Sequence, residues 1–177
     1  YKNKKIGSFG HISTWSFCQD KIISTGGEGG MISTNNKRLW LKCWSLKDHG
    51  KNYKSVFNKK HKIGFKWLHD DFGSNYRMTE MQAVIGKEQL KLLDKKIEKR
   101  NVIANLYLDG LKDYFFKYDF LKKQDFKCQT CPLKENLKEC NKCIHAFYRL
   151  NLFINKNKIN QNKLILKLNE RKINCGV

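Results

Sequence analysis

The sequence predicts a mixed α/β fold from three observations. Short β-branched and aromatic runs flank a glycine-rich turn near the start, a long run of helical spacing fills the middle, and a strand-then-helix pattern follows. Apolar residues make up 40% of the 177 positions and aromatics 12%, enough for a globular core.

The elements follow in order. "HISTWSF" reads as a short strand and "GGMISTN" as a second one after the glycine turn, with Lys21 between them. "NKRLWLKCWSLKD" has an N-cap residue in Asn36 and apolar residues at Leu39, Cys43 and Leu46, which predicts a helix that Gly50 stops. Positions 51–75 carry polar and aromatic residues with no sustained period and read as a long loop, a feature of functional or disordered segments. Thr79, followed by Glu80 and Gln82, opens "TEMQAVIGKEQLKLLDKKIEKRNVIANLYLDGLKD", a predicted helix of about 50 Å that could connect two domains. Met81, Val84, Leu93, Ile97 and Leu106 are expected to pack a core. The strand-like "HAFYRLNLFI" and the amphipathic "QNKLILKLNERK" then suggest a small α+β domain.

The formal net charge is +20, a field that attracts polyanions. Lysine supplies most of it, scattered along the whole length, while arginine occurs only at positions 38, 77, 100, 149 and 171. Arginine is the better fork for phosphate and guanine, so the charge does not read as a nucleic-acid surface. Neither a membrane-length apolar run nor a signal-peptide pattern is present, which leads us to expect a cytoplasmic protein with no membrane partner. A start at Tyr1, already in dense globular sequence, suggests that the natural protein extends further at this end.

Cys128, Cys131, Cys140 and Cys143 form two C-x-x-C knuckles separated by eight residues. In a reducing compartment such knuckles read as a structural zinc site or as free or redox-active thiols, and both readings stand. Cys18, Cys43 and Cys175 read as small core residues.

Gly26, Gly27, Gly29 and Gly30 match neither phosphate-binding fingerprint, and their spacing alone reads as a hairpin-like turn. Spacing alone also gives no reason to single out Lys21 among so many lysines.

Three blocks in order do so. "IGSFGHISTWSFCQDKIISTGGEGGMISTNN", "SLKDHGKNY" and "FGSNYRMTEMQAVIGKEQLKLLDKKIEKR" together closely resemble the DegT/DnrJ/StrS family of pyridoxal-phosphate-dependent nucleotide-sugar aminotransferases. The likeness continues more weakly through "HAFYRLNLFI" and "KLNERKINCGV". It implies the fold-type-I transferase architecture. Residues 1–78 would be the C-terminal part of a three-layer, cofactor-binding large domain, and 79–177 a long connecting helix with an incomplete small α+β domain.

The resemblance implies three site residues. Lys21 falls on the family's lysine that bonds the cofactor as an imine, a task that suits an amine able to exchange imines and then carry a proton. Such an amine must be uncharged to react, which burial or nearby positive charge favours. Ser16 falls on the hydroxyl that donates to the cofactor phosphate. Asn75 falls on the amide that reaches across a dimer interface to the partner's phosphate, which implies a homodimer with shared active sites. Arg77 either fixes the loop into the following helix or serves as a ligand. His49 lies in the substrate-facing region, with no catalytic part assigned.

The implied reaction moves an amino group, from glutamate, to a nucleotide-linked keto-sugar for cell-surface polysaccharide or related sugar biosynthesis. Lysine at position 21 favours transamination over the family's dehydratase-like branch, in which histidine replaces it. The family's Asp partner for the pyridine nitrogen, its ring-stacking aromatic and its early phosphate turn all lie upstream of a segment like this one. The chain by itself is therefore expected to be inactive. The competing expectation is a basic, zinc-ribbon-like protein that binds nucleic acid without catalysis.

Overall fold

The computed structural model describes residues 4–60, 63–64, 68–118, 121–123 and 144–176. The chain forms two compact units, Tyr1–Asp94 and Lys95–Val177.

In the first unit, β1 (Ser13–Ser16) and β2 (Gly30–Ser33) pair antiparallel, with Ser13 opposite Ser33 and Ser16 opposite Gly30. The four glycines thus belong to the connection and end of a hairpin, as their spacing predicts. Helix α1 (Lys37–Lys47) starts at Asn36, whose side chain accepts from the Arg38 and Leu39 N–H groups. It ends where His49 and Gly50 both turn to positive φ, 59° and 74°.

The segment read as a long loop contains a helix, α2 (Tyr53–Asn58). Six residues are too few to show a period, and two other features stabilise the turn. Asn52 caps it through the Ser55 N–H, and Tyr53 and Phe57 pack edge-on against Trp40 and Trp44 of α1, with ring centroids 5.0–5.8 Å apart. The rest of the segment folds back onto the end of α1 through two bridges, Asp48 with Asn75 and Lys51 with His69.

Thr79 caps α3 (Glu80–Lys91) with a full capping box: its hydroxyl accepts from the Gln82 N–H, and the Gln82 side chain accepts from the Thr79 N–H. Gln82 also donates to the Glu28 carbonyl at 2.9 Å, so the helix start is tied to the hairpin loop. Replacing Thr79 with Ala is expected to cost about 1 kcal/mol, read as a lower midpoint in thermal unfolding.

The single long helix expected here is interrupted. At Leu92 the N–H turns back to Gln89 and Leu90, and α4 (Leu93–Gly110) begins a residue later, followed after Leu111 by α5 (Lys112–Lys117). The expected core positions are also not all covered. Met81, Val84 and Leu106 are exposed, while Leu93 and Ile97 are only half-buried. Among the described residues Ala104 is the one hydrophobic side chain that is fully buried. Among the described residues, the elements that pack most closely on one another are the paired strands, α1 with α2, and α5 with β3 (Leu121–Lys123), and much of the apolar surface of α3 and α4 stays exposed. Cys18, Cys43 and Cys175 are half-buried free thiols rather than core residues.

In the second unit, β3 pairs antiparallel with β4 (Leu152–Ile154), the part of "HAFYRLNLFI" that forms a strand. The residues before β4 are tied to α4 instead: Arg100 donates to the Phe147 and Tyr148 carbonyls, and Asn101 to that of His145. Helix α6 (Gln161–Glu170) is capped by Asn160 through the Lys163 N–H. Cys128, Cys131, Cys140 and Cys143 lie outside the described residues.

Candidate active site

The loop from Phe17 to Gly29 closes the hairpin and carries Lys21. Two backbone bonds shape it, from Phe17 N–H to Gly29 and from Thr25 N–H back to Phe17. Thr25 is its anchor. The side chain is buried, donates to the Glu28 carbonyl at 3.0 Å, and leaves no room for a Cβ at Gly29 or, on α3, at Gly86. The loop is therefore seated on α3 by a close approach that two glycines permit.

Within it a turn from Lys21 N–H to the Cys18 carbonyl holds the lysine a few residues beyond Ser16, the last residue of β1. The Lys21 ammonium is paired with Asp20 at 3.1 Å and its side chain is 34% exposed. Cys18 donates to the same carboxylate oxygen. Ser16 is exposed, its hydroxyl 3.5 Å from the Cys18 N–H. An amine on the anchored loop and a hydroxyl at the end of the strand that leads into it are the donors that a carbonyl compound bearing a phosphate requires. Lys21 and Ser16 thus fit pyridoxal phosphate.

Asn75 belongs to a second cluster, at the end of α1. Asp48 is 8% exposed, and one of its carboxylate oxygens lies 3.2 Å from the Lys51 ammonium and 3.6 Å from Nε of Arg77. Nε of Arg77 donates to Oδ1 of Asn75 at 3.0 Å. The strand-like contact is completed by His49 N–H to Ser74 and Tyr76 N–H to Lys47. Arg77 thus does fix the loop that leads into α3. His49 accepts, through its carbonyl, a contact from His69 Nδ1 at 2.6 Å, and the two imidazole rings meet edge-on with centroids 6.5 Å apart.

Burial raises the Asp48 pKa, but the Lys51 hydrogen bond and charge, with Arg77 and Lys47 behind them, outweigh it and hold the carboxyl below the ordinary aspartate value of 3.8. The folded carboxyl keeps its charge to lower pH than the unfolded one. The stabilisation is therefore complete above about pH 4 and disappears as pH falls through the folded value. In Asp48→Asn this acid-dependent part of the unfolding curve is expected to vanish, measured as denaturation midpoints across pH 2–6, about the span that brackets an aspartate.

A groove of about 940 Å³ also opens in this unit, lined by Trp15, Met31, Trp40, Trp44 and Arg77 among others. Ser16, Lys21 and Asn75 are not part of its lining.

The DegT/DnrJ/EryC1/StrS aminotransferase family model matches residues 1–177, and the chain belongs to this family. Over 107 residues, 60% of this chain and 26% of the relative, it is 41% identical to GDP-perosamine synthase from Escherichia coli O157:H7. The structure resembles that of an aminotransferase from Psychrobacter cryohalolentis, with a TM-score of 0.79 and 40% identity over 96% of this chain. It also resembles E. coli GDP-4-keto-6-deoxy-D-mannose-3-dehydratase with bound hydrated PLP, with a TM-score of 0.73 and 25% identity over 99% of this chain. The chain spans 42% of the length of each of these two solved proteins.

The fold is accordingly part of a fold-type-I aminotransferase, and the family is pyridoxal-phosphate dependent. The nucleic-acid-binding alternative finds no support in these relatives. Among the described residues, which do not include Cys128, Cys131, Cys140 and Cys143, no group of three or more His, Cys, Asp or Glu side chains could hold a metal ion. No helix among the described residues is long and apolar enough to cross a membrane.

Sequence reasoning passed over Asp20, Thr25 and Asp48, and read Gln82 only as part of the start of α3. Thr25 and Gln82 act through contacts about 60 positions or fewer along the chain that only folding brings about, as in the bond from Gln82 to Glu28. Asp20, adjacent to Lys21, was the one neighbour that its position alone could have flagged.

Proposed function

We propose that the full-length protein is a pyridoxal-phosphate-dependent aminotransferase that moves an amino group from an amino-acid donor, glutamate, to a nucleotide-linked keto-sugar. The observation that carries this reading is Lys21, on a loop that follows Ser16 of β1 and is anchored by Thr25, in a chain of this family. Bound pyridoxal phosphate supplies an electron sink for the carbon that carries the migrating amino group. Lys21 would attach the cofactor and then, as a free amine, would move a proton between that carbon and the cofactor's C4′. Its ion pair with Asp20 must open for this. Ser16 donates its hydroxyl proton to the cofactor phosphate.

Asn75 serves the phosphate in a second subunit, so the working enzyme is a homodimer with shared sites, in the cytoplasm. Its separation into a different cluster from Lys21 suits that division of labour. In this reading residues 1–78 complete the cofactor-binding large domain and 79–177 form the connecting helix and part of a small α+β domain. The product enters polysaccharide or related sugar biosynthesis, as a relative 36% identical over 109 residues, spore coat polysaccharide biosynthesis protein SpsC from Bacillus subtilis, suggests.

Full-length protein given pyridoxal phosphate, glutamate and a GDP- or UDP-linked 4-keto-6-deoxy sugar should yield the nucleotide-linked amino sugar and 2-oxoglutarate by mass spectrometry. Loss of a sugar hydroxyl without gain of nitrogen would assign the protein to the dehydratase chemistry instead. No change in any such sugar would overturn the reading.

A further inference from the structure

The cluster at the end of α1 contains a buried charge whose purpose is not explained by the fold alone. Asp48 sits at 8% exposure and is the only carboxylate among the buried residues described. Its two cationic neighbours differ. Lys51 is a half-buried counter-ion from the next turn of chain, whereas Arg77 comes from 29 positions away and is half exposed. Nε of Arg77 donates to Oδ1 of Asn75 at 3.0 Å while lying 3.6 Å from the Asp48 carboxylate, an ion pair without a hydrogen bond. The Arg77 backbone N–H points to the same Oδ1 at 3.4 Å.

A guanidinium only donates, so the Asn75 atom it meets must be the carbonyl oxygen. The amide is thereby oriented by chemistry. Its NH2 group, which makes no hydrogen bond among the described residues, is left facing outward on an exposed side chain.

We infer that Asp48 and Arg77 are positioning residues that lock the Asn75 amide with its NH2, rather than its oxygen, toward the cofactor phosphate. This rests on the reading of Asn75 as a phosphate ligand. Flipped, the same side chain would offer an oxygen to a dianion and repel it. The backbone bridge between Asp48 and Asn75 sets where the amide stands, and the side-chain chain from Asp48 through Arg77 sets which way it faces. The negative charge of Asp48 keeps Nε of Arg77 from turning toward the phosphate itself.

The test compares two ligands on the full-length protein, pyridoxal phosphate and pyridoxal, which differ only in the phosphate. Dissociation constants come from equilibrium dialysis, with thermal unfolding as a check on folding. Asp48→Asn and Arg77→Lys are both expected to weaken pyridoxal phosphate about 10-fold while leaving pyridoxal unchanged, the size of one hydrogen bond to a charged group. Asn75→Ala should lose at least as much, and adding Asp48→Asn to it should cost nothing further, because the relay then has nothing left to orient. Equal losses for both ligands mean a merely structural cluster and overturn the inference, as do unchanged constants or additive losses in the double variant. The underlying reading fails separately: if Asn75→Ala binds both ligands as the unaltered protein does, Asn75 is no phosphate ligand.

Discussion

Replacing Lys21 with Ala in the full-length protein is expected to lower amino transfer by about 10³-fold or more, the scale of losing both a covalent anchor and a proton carrier. The loss should fall on kcat, since the nucleotide and sugar are recognised by other groups. Exogenous primary amines should restore part of the rate by carrying the proton, while Lys21→Arg should not, because a guanidinium stays charged and cannot form the imine. The fold should be little affected. Lys21 is 34% exposed and its ion pair with Asp20 is a surface pair of small worth. The loop around it is held by Thr25, so its seat on α3 survives the change. Activity measured under saturating cofactor, alongside thermal unfolding, separates the two effects.

Gly50→Ala is expected to have the largest effect on stability, about 3 kcal/mol, from a strained backbone and a steric clash together. Gly50 has φ of 74°, and a Cβ there would run into the carbonyl of Asp71. That carbonyl cannot easily retreat, because the Asp70 and Asp71 N–H groups both bond to the Gly50 oxygen. Gly73 closes the same contact from the other side, lying against the Gly50 nitrogen with no room for a side chain. Two backbones thus meet without side chains between them, and this contact sets the path of the chain into Asn75. The cost should be read as a fall in the denaturant midpoint. Gly64→Ala, at φ of 135° but with open space around it, is the control and should cost about 1 kcal/mol.

Local signals carried well from sequence to structure. Asn36 and Thr79 announce α1 and α3 because a cap is a contact made within three or four residues of itself. The hairpin is legible from β-branched runs on either side of glycines. Helix α2 was hidden because six residues after the Asn52 cap show no period and the rest of its support comes from Trp40 and Trp44, more than eight positions away. The break at Leu92 has no sequence mark at all, since the residues on both sides are good helix formers and no Gly or Pro intervenes. Positions such as Met81 and Val84 show the limit of periodicity: an apolar stripe says which face seeks cover, not which element provides it.

For the candidate site, neither charge nor spacing distinguished Lys21 from the other lysines. The three-block resemblance did, and the structure adds the reason the loop can hold such a residue in place. Asn75 was likewise reached through the resemblance, whereas Asp48, which governs its surroundings, is an ordinary acidic residue until the chain folds.

The account stands on Lys21 as the residue that carries the cofactor. Full-length protein saturated with pyridoxal phosphate, reduced with borohydride, digested and sequenced by mass spectrometry should show a phosphopyridoxyl group on the peptide containing Lys21 and no other. A reduced cofactor on a different lysine, or none at all, would contradict it.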